Sequence, residues 1–326
     1  MKKNIAIVAG GNSGESEISM NSAKVIQENI DNEKYNVYTI YIKGRNWIYK
    51  TKENKDISVD KNDFSISLNN QKINFNCVFI AIHGTPGEDG KLQGYFDLLS
   101  IPYTSSNLLT SAITFNKKVC TTLVSTYGAN VAKSIVVSKQ KKLTIEEILK
   151  EISLPCFAKP NNGGSSIGTS KVNKVEDLQK AIDEALAQDS EVIIEEFIQG
   201  TEITCGVVKS INEIIVLPIT EIVPKTEFFD WEAKYKGASE EITPARISKE
   251  IEIECKRISL ELYKKLNCSG MSRFDYIISK GKLFFLEVNT VPGLSESSIV
   301  PQQAKAIGIS AKELYTLVID EALNRI

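Results

Sequence analysis

The amino-acid sequence predicts an α/β fold, α+β in part, organised as three domains with a parallel sheet at the N-terminus. Three observations lead there. Short β-rich apolar runs alternate with helical spacing in the first hundred residues, a Gly/Ser loop follows an apolar strand near the middle, and strand-forming runs dominate the last third. A chain of 326 residues, 42% hydrophobic and 25% charged, has an ordinary globular composition and length enough for two or three domains.

In order along the chain, IAIVA (5–9), VYTIYI (37–42) and CVFIAI (77–82) read as strands, and Val25, Ile26 and Ile30 set a helical period between Ser19 and Ile30. A second block contains LPCFA (154–158), the loop 163–168 and VIIEEF (192–197), with Val175, Leu178, Ile182, Ala185 and Leu186 marking one face of a helix. The third block carries strands at ITCGVV, IIVLPI, FDYII and LFFLEV, and helices near 249–266 and 311–325. The domains are expected over 1–104, 105–199 and 200–326.

Lys and Arg number 39 against 41 Asp and Glu, so a net charge of −2 creates no field of one sign and argues against sequence-general nucleic-acid binding. No run approaches the roughly 18 apolar residues of a membrane span, and MKKNIAIVAGG reaches glycine before a signal-peptide core can form, so a cytoplasmic protein is expected. The six cysteines lie 13 or more residues apart, which leaves no Cys-x-x-Cys pair for zinc or redox chemistry; buried inert thiols are expected. A single histidine, His83, rules out a multi-histidine metal site.

Five segments carry chemistry. In AGGNSGESEISMNS (9–22), a strand ends in glycines and enters a helix starting at Ser16 or Ser19, whose amides suit an anion. Gly10 and Gly11 are adjacent, so this is not the dinucleotide fingerprint, and Glu15 and Glu17 read equally as first-turn acids. In AIHGTPGEDGKLQGYFD (81–97), His83 follows a buried strand, either as a satisfied loop histidine or facing a ligand.

FAKPNNGGSSIGTSKV (157–172) places Lys159 on a strand before a loop whose amides and hydroxyls can surround phosphate oxygens; it lacks the Walker Lys-Ser/Thr pair. VIIEEFIQGTE (192–202) ends a strand in Glu195, Glu196 and Glu202, which are simply solvated or read adenine and ribose. In SRFDYIISKGKLFFLEVNTVPG (272–293), period two puts Arg273 with Asp275, and Glu287 with Asn289. A connecting loop of odd length sets Asp275 opposite Glu287, giving oxygen donors for Mg²⁺ or, alternatively, a structural ion pair with Arg273.

Together, GGNSGESEIS, HGTPGEDGKLQG, KPNNGGSSIG, EAKY (232–235) and RFD…EVNTVPGLSESSIVP resemble, in order from residue 5 to about 301, the D-alanine–D-alanine ligases of the ATP-grasp superfamily. The resemblance implies ATP held between the central and C-terminal domains and two D-alanines joined for peptidoglycan synthesis. It implies ATP-binding roles for Lys117, Lys159, Gly164, Ser166, Glu195, Glu196, Phe197, Ile198, Glu202 and Lys234. By the same resemblance Asp275, Glu287 and Asn289 hold two Mg²⁺ ions, with Mn²⁺ as a substitute, while Arg273 and the Gly293 amide stabilise an oxyanion. Glu15, Ser165 and Tyr235 form a closing network, His83 meets the first D-alanine, and Ser298 with the Ile299 backbone meets the second carboxylate. The resemblance further implies a lid over about 224–243 and a homodimer through the N-terminal domain. Thr85-Pro86, Glu196 and Ser16 depart from the family pattern, and Tyr235, where histidine is usual in D-alanyl-D-lactate makers, favours the dipeptide.

Overall fold

The central strand of the first sheet, β1 (Lys3–Gly10), is buried from Ile5 onward on both faces, as a parallel strand must be. It leads into α1 (Ser16–Asn29), whose buried positions Ser19, Ser22, Ala23 and Ile26 follow helical spacing. β2 (Tyr35–Lys43), β3 (Asn46–Lys50) and β4 (Asp56–Ser58) extend the sheet on one side; after the small hairpin β5 (Ile66–Leu68) and β6 (Gln71–Ile73), β7 (Cys77–Ile80) completes it. The order is β4-β3-β2-β1-β7, with β2, β1 and β7 parallel. The computed structural model describes residues 2–51, 53–224 and 239–325, so most of the expected lid lies outside the described residues.

Helices α2 (Lys91–Leu98), α3 (Leu108–Phe115) and α4 (Lys117–Thr126) lead to β8 (Asn130–Val131) and β9 (Ser134–Ser138), then α5 (Ile145–Glu151), β10 (Cys156–Pro160), β11 (Ser170–Val172), α6 (Val175–Leu186) and β12 (Glu191–Glu196). A four-stranded antiparallel sheet, β11-β10-β12-β9, packs on α6 through Leu178, Ala181, Ile182 and Ala185. Val175, expected on that face, opens the helix and is exposed.

The third sheet uses β13 (Thr201–Lys209), β14 (Ile214–Pro224), β15 (Ser239–Ile242), β16 (Met271–Ser279) and β17 (Lys282–Asn289), with helices α7 (Lys249–Lys265), α8 (Ile299–Ala306) and α9 (Ala311–Leu323). Its order is β15-β14-β13-β16-β17-β8, so β8 from the middle of the chain pairs in parallel with β17. The last helix crosses to the first sheet: Leu314, Tyr315, Val318 and Ile319 share a core with Ile5, Ile7 and Phe79, and also with Met271 and Leu217. All six cysteines are buried free thiols.

The β16–β17 hairpin differs from expectation in one respect. Its connection is two residues, Lys280 and Gly281, with φ of 49° and 74°, the left-handed pair that a tight type I′ turn needs. The loop is therefore not of odd length. Asp275 still faces Glu287, because the register slips by one between Asp275 and Tyr276, which faces Phe285, and Leu286 is the extra residue of a bulge.

Glycine is required where the first sheet's exit meets the third. Gly270 has a φ of 61°, and a Cβ there would lie 1.9 Å from the Thr104 carbonyl oxygen. Gly281 has similar torsions but open space around it. Gly281→Ala is expected to cost about 1–2 kcal/mol of unfolding free energy, whereas Gly270→Ala costs distinctly more; urea unfolding of both variants checks the ranking.

Candidate active site

Cross-strand register assembles one end of the site. Asp275 on β16 is buried and accepts hydrogen bonds from Arg273 Nε (2.9 Å) and a terminal guanidinium nitrogen (2.8 Å) of the same arginine. Asn289 Nδ2 donates to it at 3.0 Å and the Thr204 hydroxyl at 2.6 Å. Opposite Asp275, Glu287 forms an ion pair with Lys117 at 2.8 Å; the lysine also donates to the Gly163 carbonyl at 2.9 Å. Burial alone lowers the Lys117 pKa, but the Glu287 carboxylate outweighs it and the net shift is upward, so the amine stays charged. The ion-pair alternative weighed for Arg273 is thus present here. It coexists with a hard-oxygen set, two carboxylates and one amide, of the chemistry that Mg²⁺ takes. Among the described residues no group of three or more His, Cys, Asp or Glu could hold a metal ion, so that set would draw its remaining ligands from phosphate and water.

Beside this hairpin lies a cavity of about 370 Å³ between the second and third sheets. Lys117, Lys159, Gly164, Ser165 and Ser166 line it from the phosphate-loop side, and Glu195, Glu196, Phe197, Ile198 and Glu202 from the other. Asp275 and Glu287 reach it as well. Lys159 forms a short ion pair with buried Glu195 on the neighbouring strand. Glu196 turns instead to the Lys133 amide, which donates to it at 2.8 Å. Ser165 and Ser166 both hold left-handed torsions, φ 53° and 54°, a cost tolerated where surrounding contacts fix the backbone.

The first domain reaches the same loop. Glu15, at the start of α1, is buried and accepts a short hydrogen bond from the Ser165 hydroxyl, whereas Glu17 is exposed in the first turn. A Cβ on Gly164 would lie 3.1 Å from the Glu15 carboxylate, so glycine permits this approach. His83 is buried off the main cavity. Its Nδ1 donates to the Val291 carbonyl at 3.0 Å, which leaves Nε2 to accept from the Ser22 hydroxyl at 3.1 Å. Burial lowers its pKa, so the ring is neutral. Gly293 packs against Ser298, whose Oγ would sit 2.8 Å from a Cβ there; Ser298 stands at the start of α8 and Ile299 is its first residue. Lys234 and Tyr235 lie outside the described residues.

Glu88 lies within HGTPGEDGKLQG, where no local pattern gives it a part. Its carboxylate accepts from the Gly84 amide at 2.7 Å and bonds the Val291 backbone, tying the His83 loop to the chain leaving β17. Burial, reinforced by the Glu15 charge, pushes its pKa up to about 8. The alternation of carboxylate and glycine in that loop was its one visible signal.

A four-stranded antiparallel sheet facing a larger one across a lysine-edged cavity is the architecture of an ATP-grasp protein. The VanG D-Ala:D-Ser ligase from Enterococcus faecalis has a similar structure, with a TM-score of 0.86 and 34% identity over 98% of this chain and 99% of that one. A Bacillus anthracis D-alanine–D-alanine ligase complexed with ATP gives a TM-score of 0.79 at 28% identity, covering 98% and 97%. The family model for the D-ala D-ala ligase N-terminus matches residues 4–106, and that for the C-terminus residues 123–320. A D-alanine–D-alanine ligase of Phocaeicola vulgatus is 47% identical over 321 residues, 98% of this chain and 99% of that protein. The chain belongs to the D-alanine–D-alanine ligase family.

The raised pKa of Glu88 has a thermodynamic consequence. The folded state holds this proton more tightly than the unfolded chain, so the group's contribution is full below the ordinary glutamate pKa and is lost as pH rises towards about 8. Unfolding free energies measured from about pH 5 to about pH 8.5 are expected to fall for the parent relative to Glu88→Gln. A constant difference between the two would mean that Glu88 titrates normally.

Proposed function

We propose that this protein joins two D-alanines into D-alanyl-D-alanine, converting ATP to ADP and phosphate, for peptidoglycan precursor synthesis in the cytoplasm. The observation that carries the reading is the convergence of Arg273, Asp275, Glu287 and Asn289 at the edge of a cavity lined by Lys117 and Lys159. Binding of a nucleotide alone has no use for an arginine held beside the metal-type carboxylates.

ATP lies in the cavity as co-substrate, its phosphates against Lys117, Lys159 and the loop at Gly164 and Ser166, and its base and ribose towards Glu195, Glu196, Phe197, Ile198 and Glu202; the family resemblance adds Lys234, outside the described residues, to the phosphate lysines. Asp275, Glu287 and Asn289 fit Mg²⁺ by donor chemistry, Mn²⁺ being the natural substitute. When bound, the metal offsets phosphoryl charge. The carboxylate of the first D-alanine takes the γ-phosphoryl group. This exchanges an oxide leaving group for phosphate and gives an acylphosphate.

Glu15, held by Ser165, orients the first amino group, with neutral His83 close by, and the family resemblance adds Tyr235, outside the described residues, to its partners. The second D-alanine, its carboxylate at Ser298 and the Ile299 amide, attacks through its amine. Arg273 and the Gly293 amide stabilise the tetrahedral oxyanion, and phosphate leaves, a phosphate oxygen taking the proton of the attacking amine, so that the dipeptide remains. A lid over about 224–243 keeps water from the acylphosphate. The same reading assigns residues 1–104 to the first substrate, 105–199 and 200–326 to ATP, and a homodimer to the N-terminal domain.

Phosphate release from ATP and Mg²⁺ is to be measured with D-alanine, L-alanine, D-alanine plus D-serine, and D-alanine plus D-lactate, with products identified by mass. D-alanine alone is expected to suffice and to yield the dipeptide; release only with a mixed pair would overturn the second-substrate assignment. Arg273→Met is expected to lower the ligation rate about a hundredfold or more while ATP binding, followed by calorimetry, persists.

A further inference from the structure

Gln303 of α8 is fully buried, and its amide completes a sheet that cannot complete itself. The β13–β14 register slips between Cys205 and Val207, where β14 carries Pro218, a residue with no N–H to donate. There the Gly206 amide donates to Gln303 Oε1 at 3.0 Å, and Gln303 Nε2 donates to the Thr204 carbonyl at 3.0 Å. The same nitrogen donates to the Thr220 hydroxyl at 3.0 Å, which in turn bonds Thr243 at 2.6 Å. Any side chain at 206 would collide with this arrangement, since a Cβ would lie 2.5 Å from Gln303 Oε1.

Two features of the site hang from these bonds. Thr204, gripped by its carbonyl, donates its hydroxyl to Asp275 at 2.6 Å, and Asp275 holds Arg273. Gln303 also sits in the short helix that begins just after Ser298. A hydrogen-bonded path therefore runs from the start of α8 through Gln303 and Thr204 to Asp275 and Arg273. Gln303, Thr204 and Asp275 are buried polar groups, and the loss of any of them leaves a partner unsatisfied.

We propose that Gln303, acting through Thr204, is a positioning residue that sets the second-amino-acid subsite at the start of α8 against Arg273 and Asp275. This rests on the reading of Ser298 and Ile299 given above. Its loss lets α8 shift against the sheet, so the amine misses the acylphosphate and water takes its place.

The decisive quantity is the ratio of phosphate released to dipeptide formed, which a merely destabilised enzyme keeps at unity. In Gln303→Leu the ratio is expected to rise severalfold with the KM for ATP nearly unchanged. Thr220→Val, which removes the hydroxyl bonded by Gln303 and Thr243 but keeps the Gln303 bonds to Gly206 and Thr204, gives a smaller rise and serves should the leucine variant fail to fold. Mn²⁺ binding in the presence of a non-hydrolysable ATP analogue, read by electron paramagnetic resonance, is expected to weaken about tenfold or more in Thr204→Val and to recover in Thr204→Ser. An active parent whose variants keep a ratio of one and unchanged Mn²⁺ binding overturns this inference alone. A parent that forms no dipeptide from D-alanine overturns the functional reading, and the inference with it.

Discussion

A carboxylate placed inside a sheet must be paired and hydrogen-bonded, because burial of a charge without compensation costs more than a domain can absorb. Asp275 meets this demand with donors from three sources: Thr204 on the strand beside it, Arg273 two residues away on its own strand, and Asn289 across the hairpin. The arrangement holds Arg273 in place as firmly as it neutralises Asp275. Much of the third sheet serves it, from the bulge at Leu286 that brings Glu287 opposite to the glutamine that steadies Thr204.

The remaining groups come from elements with little in common except where they end. α1 brings Glu15, the loop after β10 brings Ser165, and α4 begins with Lys117. These approaches are close enough that Gly164 has room for no larger residue without displacing the Glu15 carboxylate. The helix α9 binds the first and third sheets into one core, so the Glu15 side and the Asp275 side of the site are held to the same packed interior. Interiors of this density transmit small displacements rather than absorb them.

Electrostatics within the site are balanced internally. Lys117 answers Glu287 and Lys159 answers Glu195, all four at the cavity wall, and Arg273 answers Asp275, which reaches that wall. The Lys117 amine, kept charged by Glu287, and the Asp275 and Glu287 carboxylates thus meet at one end of the cavity. Neutral His83 and the proton-retaining Glu88 keep the buried layer near Glu15 low in charge.

Periodicity and turn chemistry act over a few residues, and so the sequence by itself determined most strands and helices, the Gly/Ser loop, and the pairing of Arg273 with Asp275 and of Glu287 with Asn289 on strand faces. Local pattern is what such features are made of. Their resemblance to a known family extended the list to Lys117 and Ser298, which no local signal singles out, and gave Glu15 a role that the local pattern left open. Tertiary structure alone decided that the hairpin turn has two residues and a bulge restores its parity, that β8 joins the third sheet, and that α9 returns to the first. It alone also decided the parts of Glu88, Thr204 and Gln303. Each of these depends on a partner distant in the chain, such as Val291 for Glu88 or Gly206 for Gln303, and contacts of that kind arise only when the whole core has closed.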